Sequence, residues 1–341
     1  MATQPHTAMA EKHWQQLYAE SVTDLGELLS LLGLPQSLVS GTDAATTQFG
    51  LRVPRGYIAR MEPGNPRDPL LMQVLPRAVE SESPTPGFRA DPVDDTAAMA
   101  APGVLRKYEG RALLIATGAC AINCRYCFRR HFPYAEANAG ARDWERALAE
   151  LENSADVTEI ILSGGDPLVL GNRRLRALTD GLRRLPRIRR IRIHTRLPVV
   201  LPERVDQGLL GWIDALDRQL VVVLHANHPR EIDAAVAAAC NALSGRGVTL
   251  LNQSVLLRGV NDDVDSLAAL SERLFQAGVL PYYLHALDRV AGAGHFLVPD
   301  DQARQLAEQL RRRLPGYLVP QLVRETPGEP YKTPLITAAH G

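Results

Sequence analysis

The chain has 341 residues, 45% hydrophobic and 22% charged, enough to bury a large core and too apolar for wholesale disorder. Lys plus Arg and Asp plus Glu each number 38, so the chain as a whole is no polycation built for nucleic acid or an anionic membrane. No apolar run approaches the ~20 residues of a transmembrane helix, the start MATQPHTAMAEKHWQQ lacks a signal-peptide core, and four cysteines are too few for a disulfide scaffold, which together predict a cytoplasmic protein.

Residues 1 to about 40 read as helical, with Leu25, Leu28, Leu29 and Leu32 at the spacing of one helix face. Between Phe49 and Pro102 the chain is rich in Pro and Gly and reads as loops with short elements between them, covering one end of a main domain. From Arg111 the pattern changes to short apolar runs: RALLIAT, VTEIILS, IRRIRIH, LVVVLH, VTLLNQS and VLPYYL. Stretches with helical spacing lie between them, such as Trp144, Leu148 and Leu151, or Leu175, Leu178 and Leu182. After the first unit the runs begin roughly 30 residues apart, the length of one βαβ crossover. The fold class predicted is α/β, a partial (β/α)6 barrel over residues 101–341, preceded by a helical and irregular accessory region over residues 1–100. In such a barrel the chemistry sits at the C-terminal ends of the strands.

Cys120, Cys124 and Cys127 crowd into one loop after the first predicted strand. Three thiolates there can hold three irons of a 4Fe–4S cluster and leave the fourth iron open to a small molecule. Zinc, with His131 completing a Cys₃His set, is the competing reading. After the second strand comes Ser163-Gly164-Gly165-Asp166-Pro167, a tight turn by composition whose glycines would also let the backbone approach a ligand closely.

Only three residues are lysine, Lys12, Lys107 and Lys332, against 35 arginines. Lys332 lies in the Pro/Gly-constrained loop PGEPYKTP after the predicted terminal strand YLVPQLV. A rigid loop over a barrel mouth can hold a lysine partly desolvated, as anchoring pyridoxal 5′-phosphate (PLP) requires.

The Cys-x₃-Cys-x₂-Cys loop and the Ser-Gly-Gly-Asp-Pro turn at successive strand ends resemble the signatures of the radical S-adenosylmethionine superfamily. From about Arg52 to Pro334 the chain resembles lysine 2,3-aminomutases, through LSGGDPL, TRLPVVLPERV, HANHPREI, NQSVLLRGVNDD, PYYLHALD and GHF. The PGEPYKTP loop and short C-terminal end look like the branch that modifies translation elongation factor P. The resemblance implies an isomerase converting L-α-lysine to β-lysine by a 5′-deoxyadenosyl-radical 1,2-amino shift on PLP. Its product would serve a separate ligase acting on elongation factor P, and a one-electron donor would be required.

The resemblance also implies residue roles. Cys120, Cys124 and Cys127 would ligate the cluster, and Ser163, Gly164, Gly165, Asp166 and His225 would neighbour S-adenosylmethionine. Lys332 would hold PLP, with Lys107, Tyr108, Arg111 and Gln253 in the cofactor pocket. Arg129 would take the substrate α-carboxylate, and Asp288 and Glu325 its distant ammonium, Glu325 standing where the free-standing lysine enzymes have aspartate. An acidic pair favours lysine over a substrate with a second carboxylate.

Two other readings compete. One keeps the radical cluster without PLP, as in enzymes that modify RNA or peptides. The other is a non-catalytic nucleic-acid-binding metalloprotein, supported by residues 173–196, which carry ten arginines and one acid, Asp180. The plainer account of that segment is a solvated helix followed by a strand whose outward positions are arginine.

Overall fold

The structure, a computed structural model, describes residues 13–82, 85–134 and 141–335; Lys12 lies outside them. Helix α1 (Leu25–Leu31) starts where the Asp24 carboxylate accepts the Glu27 N–H at 2.8 Å. It buries Leu28 and Leu29 completely, with Leu32 close behind, on the predicted face. The Pro/Gly-rich stretch that follows is made of short helical turns, as its composition suggests.

All six apolar runs form strands, numbered here after a short antiparallel pair β1 (Met99–Ala101) and β2 (Val104–Leu105). They are β3 (Arg111–Thr117), β4 (Glu159–Gly164), β5 (Arg190–Thr195), β6 (Gln219–Leu224), β7 (Thr249–Val255) and β8 (Leu280–His285). Each pairs in parallel with the next. A seventh parallel strand, β9 (Gln321–Arg324), adds to β8, and β10 (Thr333–Pro334) returns antiparallel on β9. The predicted run YLVPQLV is thus a strand only after Pro320; its first half is a 3₁₀ turn, Gly316–Leu318, since proline has no N–H for a ladder.

Helices α2 (Ala141–Asn153), α3 (Asn172–Leu182), α4 (Gln207–Asp214), α5 (Ala234–Ser244), α6 (Val264–Gln276) and α7 (Asp300–Arg313) connect the seven parallel strands. The sheet runs in order from β1 to β10 and its two ends do not pair, so the barrel is partial. One hydrophobic cluster runs from Trp14 through α1 and the helical layer to Val279. The described part of the accessory region therefore shares its core with the barrel.

Strand alternation sorts the two faces. On β5, Ile191 and Ile193 are buried towards the helices, while Arg192 and His194 line the lumen. This reverses the expected outward arginines: β5 turns aliphatic side chains out and polar ones in. Leu113 with Arg111, Ile161 with Ser163, Gln253 with Val255, and Tyr283 with His285 follow the same two-residue period on the lumen side. The arginine-rich segment is also largely spent on the chain itself. Arg184 pairs with Glu145, Arg190 and Arg192 with Glu159, and Arg187 donates to the Ser154 carbonyl. Among the described residues no helix is long and apolar enough to cross a membrane.

Candidate active site

A cavity of about 290 Å³ opens at the C-terminal ends of the strands. It is lined by the three cysteines, Lys107, Tyr108, Arg111, Arg129, Ser163 to Asp166, His225, Gln253, Asp288, Glu325 and Lys332, but not by His131. The first strand delivers the thiols and the last hairpin delivers the amine, which is what a parallel barrel does with residues distant in sequence.

All three cysteines are free thiols in the loop after β3. Burial pushes the Cys120 and Cys127 thiols up, Cys127 to about 11, so without a metal they stay protonated. Soft thiolate donors in this number suit an iron–sulfur cluster. Among the described residues, no three His, Cys, Asp or Glu side chains converge on one point as a single ion requires. His131 points to other partners, its Nε2 lying 3.0 Å from the Ala291 carbonyl and its Nδ1 3.4 Å from the Gln48 amide. It does not complete the Cys₃His zinc set.

The glycine turn holds the cysteine loop by backbone. The Gly165 N–H donates to the Thr117 carbonyl at 2.7 Å, and the Asp166 N–H donates to the Ala119 carbonyl at 2.8 Å. A Cβ on Gly165 would lie 2.3 Å from the Ala119 oxygen, and one on Gly164, at φ 112°, 2.6 Å from the Thr117 oxygen. The close approach that demands glycine is thus first to the chain's own backbone. Asp166 lines the cavity, with its carboxylate engaged by the chain itself. Its Oδ1 accepts from Leu168 N–H and Thr195 Oγ1, and its Oδ2 from the N–H groups of Arg196 and Leu197. The buried carboxylate ties the ends of β4 and β5 together.

Several charged groups lining the cavity are mutually paired. Glu325 accepts from the Tyr108 hydroxyl at one oxygen and from the Lys332 ammonium at the other, both at 2.6 Å. Against the upward push of burial, the charge and hydrogen bond of Lys332 hold the Glu325 carboxyl below the usual range. The Lys107 ammonium donates to the Val93 carbonyl and pairs with Asp95 at 2.6 Å, rather than standing free for a ligand. Arg129 pairs with the same Asp95 through Nε at 2.6 Å and donates to Ser163 Oγ through Nη1 at 3.0 Å. Asp95 is a residue the sequence reading missed: it sits in DPVDD, a run with the composition of an ordinary loop.

Other groups are left without partners. Arg111 stacks on the Tyr108 ring, 5.0 Å from its centroid, and no carboxylate pairs with it among the described residues. His194 Nε2 and His285 Nε2 are buried and make no hydrogen bond, while His225 Nε2 meets Gln253 Nε2 at 2.9 Å. Burial keeps all three rings neutral, His225 falling to about 3. Unpaired imidazole nitrogens, a free guanidinium and a lysine in one cavity fit a bound aromatic phosphate, and the thiol triplet fits a cluster.

The sequence profile of the Radical SAM superfamily matches residues 114–270, which run from β3 to within α6. A protein named L-lysine 2,3-aminomutase from Escherichia coli is 49% identical over 328 residues, covering 96% of this chain and 95% of that one. One of the same name from Haemophilus influenzae is 46% identical over 323 residues, 95% of each chain. One from Clostridium subterminale is 31% identical over 324 residues, covering 95% of this chain and 77% of that one. Likeness of this degree along nearly the whole sequence, in a barrel whose thiols open on its mouth, makes the chain a member of the lysine 2,3-aminomutase family of radical SAM enzymes.

Proposed function

We propose that this enzyme converts L-lysine to β-lysine by a radical 1,2-amino shift, with PLP carried on Lys332, and that the β-lysine is passed in the cytoplasm to a separate ligase that modifies elongation factor P. The reading rests on one observation: the Lys332 amine and the three thiols line the same cavity of about 290 Å³. The names and identities of the relatives support the substrate, and the PGEPYKTP loop supports the elongation factor P branch.

Cys120, Cys124 and Cys127 would hold the cluster, and the backbone of Ser163 to Gly165, with His225 beside it, would meet the amino-acid end of S-adenosylmethionine. Lys332 would hold PLP, with Arg111 as the free cation for its phosphate; Tyr108 would lie beside it, and Gln253 would take a further contact. When bound, the cluster with S-adenosylmethionine supplies a hydrogen-abstracting radical, given an external electron, and PLP supplies the delocalisation that lets nitrogen migrate.

The chain's part is to bind, orient and move charge. Arg129, stiffened by Asp95 and Ser163, would take the substrate carboxylate. Asp288 and Glu325 would take its ammonium. Glu325 already accepts from an alkylammonium, that of Lys332, the chemical group a substrate lysine carries. Lys107 is assigned to holding Asp95 rather than to the cofactor.

Anaerobic reconstitution with iron, sulfide, PLP, reductant and S-adenosylmethionine, followed by chromatography of the products from L-lysine, tests this. β-Lysine is the expected product of the native enzyme. Lys332→Ala should form none, keep its iron and lose any borohydride-reducible PLP absorbance. Full activity in that variant removes PLP from the mechanism and leaves the reading as a radical enzyme without it.

A further inference from the structure

The guanidinium of Arg196, just past the end of β5, is buried against the cysteine loop. Its Nη1 donates to Cys124 Sγ at 2.7 Å and to the Tyr126 hydroxyl at 2.8 Å. Its Nη2 donates to Gln73 Oε1 at 2.7 Å, Glu231 Oε2 at 2.8 Å and the Tyr57 hydroxyl at 3.0 Å. Its counterion is fixed in turn, because Glu231 Oε1 accepts from Gln73 Nε2 and the Asn227 and His228 N–H groups. Arg196 is 5% exposed and Glu231 fully buried, so bulk solvent screens neither charge.

We propose that Arg196 is a positioning residue that sets the reduction potential of the cluster, by fixing a charge-assisted hydrogen bond on the Cys124 sulfur, with Glu231 as the opposing charge that limits its effect. The inference rests on the reading that Cys120, Cys124 and Cys127 hold the cluster. Hydrogen bonds to the ligating sulfurs and local net charge are the protein's main means of moving a cluster's potential. Reduction adds one electron to the cluster from an external low-potential donor and breaks no bond, so a fixed cation on the ligand sulfur favours the reduced form. A buried carboxylate behind that cation opposes it.

The test is a spectroscopic redox titration of the anaerobically reconstituted full-length protein, with no S-adenosylmethionine or substrate, using dithionite as reductant. Iron and sulfide are counted first. In Arg196→Gln the equilibrium constant for one-electron reduction should fall at least about tenfold, which is about 59 mV towards lower potential. Arg196→Lys, which keeps the charge but not the fork, should fall between that and the native protein. In Glu231→Gln the potential should move the opposite way. Potentials unchanged in Arg196→Gln and Glu231→Gln, with full iron in each, overturn the proposal. So does loss of the cluster from both variants at native-like melting temperature, which would assign the arginine to cluster retention. A native protein that takes up no iron overturns the ligand reading itself, a separate result.

Discussion

Asp288 faces the cavity with no hydrogen bond or ion pair on its carboxylate among the described residues. Burial raises its carboxyl to about 7, against the pull of Lys332 and with the push of Glu325. The group is therefore neutral below that pH and charged above it, and only the charged form attracts an ammonium. Lysine should bind more tightly as pH rises from about 6 to about 8. Asp288→Asn should flatten that limb and raise the KM for lysine at the upper end roughly 10- to 100-fold, the ~1.5–3 kcal/mol of a hydrogen bond to a charged group. Stability has the opposite sign. The unfolded carboxyl ionises near ~3.9, so between there and about 7 the native state loses stability as pH rises, and the asparagine variant should lose that slope. Steady-state kinetics and melting curves across pH check both. The cysteines, Lys332 and the acidic pair were readable in the sequence because each belongs to a short motif or a scarce residue type. Asp95 and Arg196 were not: their partners Arg129 and Cys124 lie 34 and 72 positions away, and nothing local marks such contacts.

Among the elements, the β4 turn carries the clearest division between what pattern reveals and what it hides. Two glycines before an aspartate announced a special backbone, yet the demand comes from the neighbouring cysteine loop, with Gly165 seated on the Ala119 carbonyl. Gly165→Ala should displace that loop, costing roughly 1–3 kcal/mol by overpacking and lowering iron content. Denaturant unfolding with an iron assay measures both, and normal stability with full iron would contradict the contact. The βα rhythm itself was legible from apolar runs about one crossover apart. The lumen side of β5 was not, because alternation fixes which residues share a face without saying which face looks inward.

At the scale of the molecule, the accessory region proves inseparable from the site. Glu80 is buried beneath the cysteine loop, accepting from Arg125 Nε at 3.0 Å and Arg130 Nη2 at 2.8 Å. The ring of Phe49 lies 5.3 Å from both guanidinium carbons. Glu80→Gln leaves two buried arginines without their counterion and should destabilise the protein by ~3–5 kcal/mol while loosening the loop that carries the thiols. Calorimetry would register the first effect and cluster occupancy the second. The open sheet has a consequence of its own. Backbone pairing stops at β1 and β10, yet the Tyr108–Glu325 bond links the loop before β3 to the residue after β9. The seam is thus sewn with acid, phenol and amine side chains. A ladder of amides is indifferent to charge, but this stitching is made of ionisable groups that line the cavity. Closure across the seam thus rests on side-chain acid, phenol and amine where the backbone provides none.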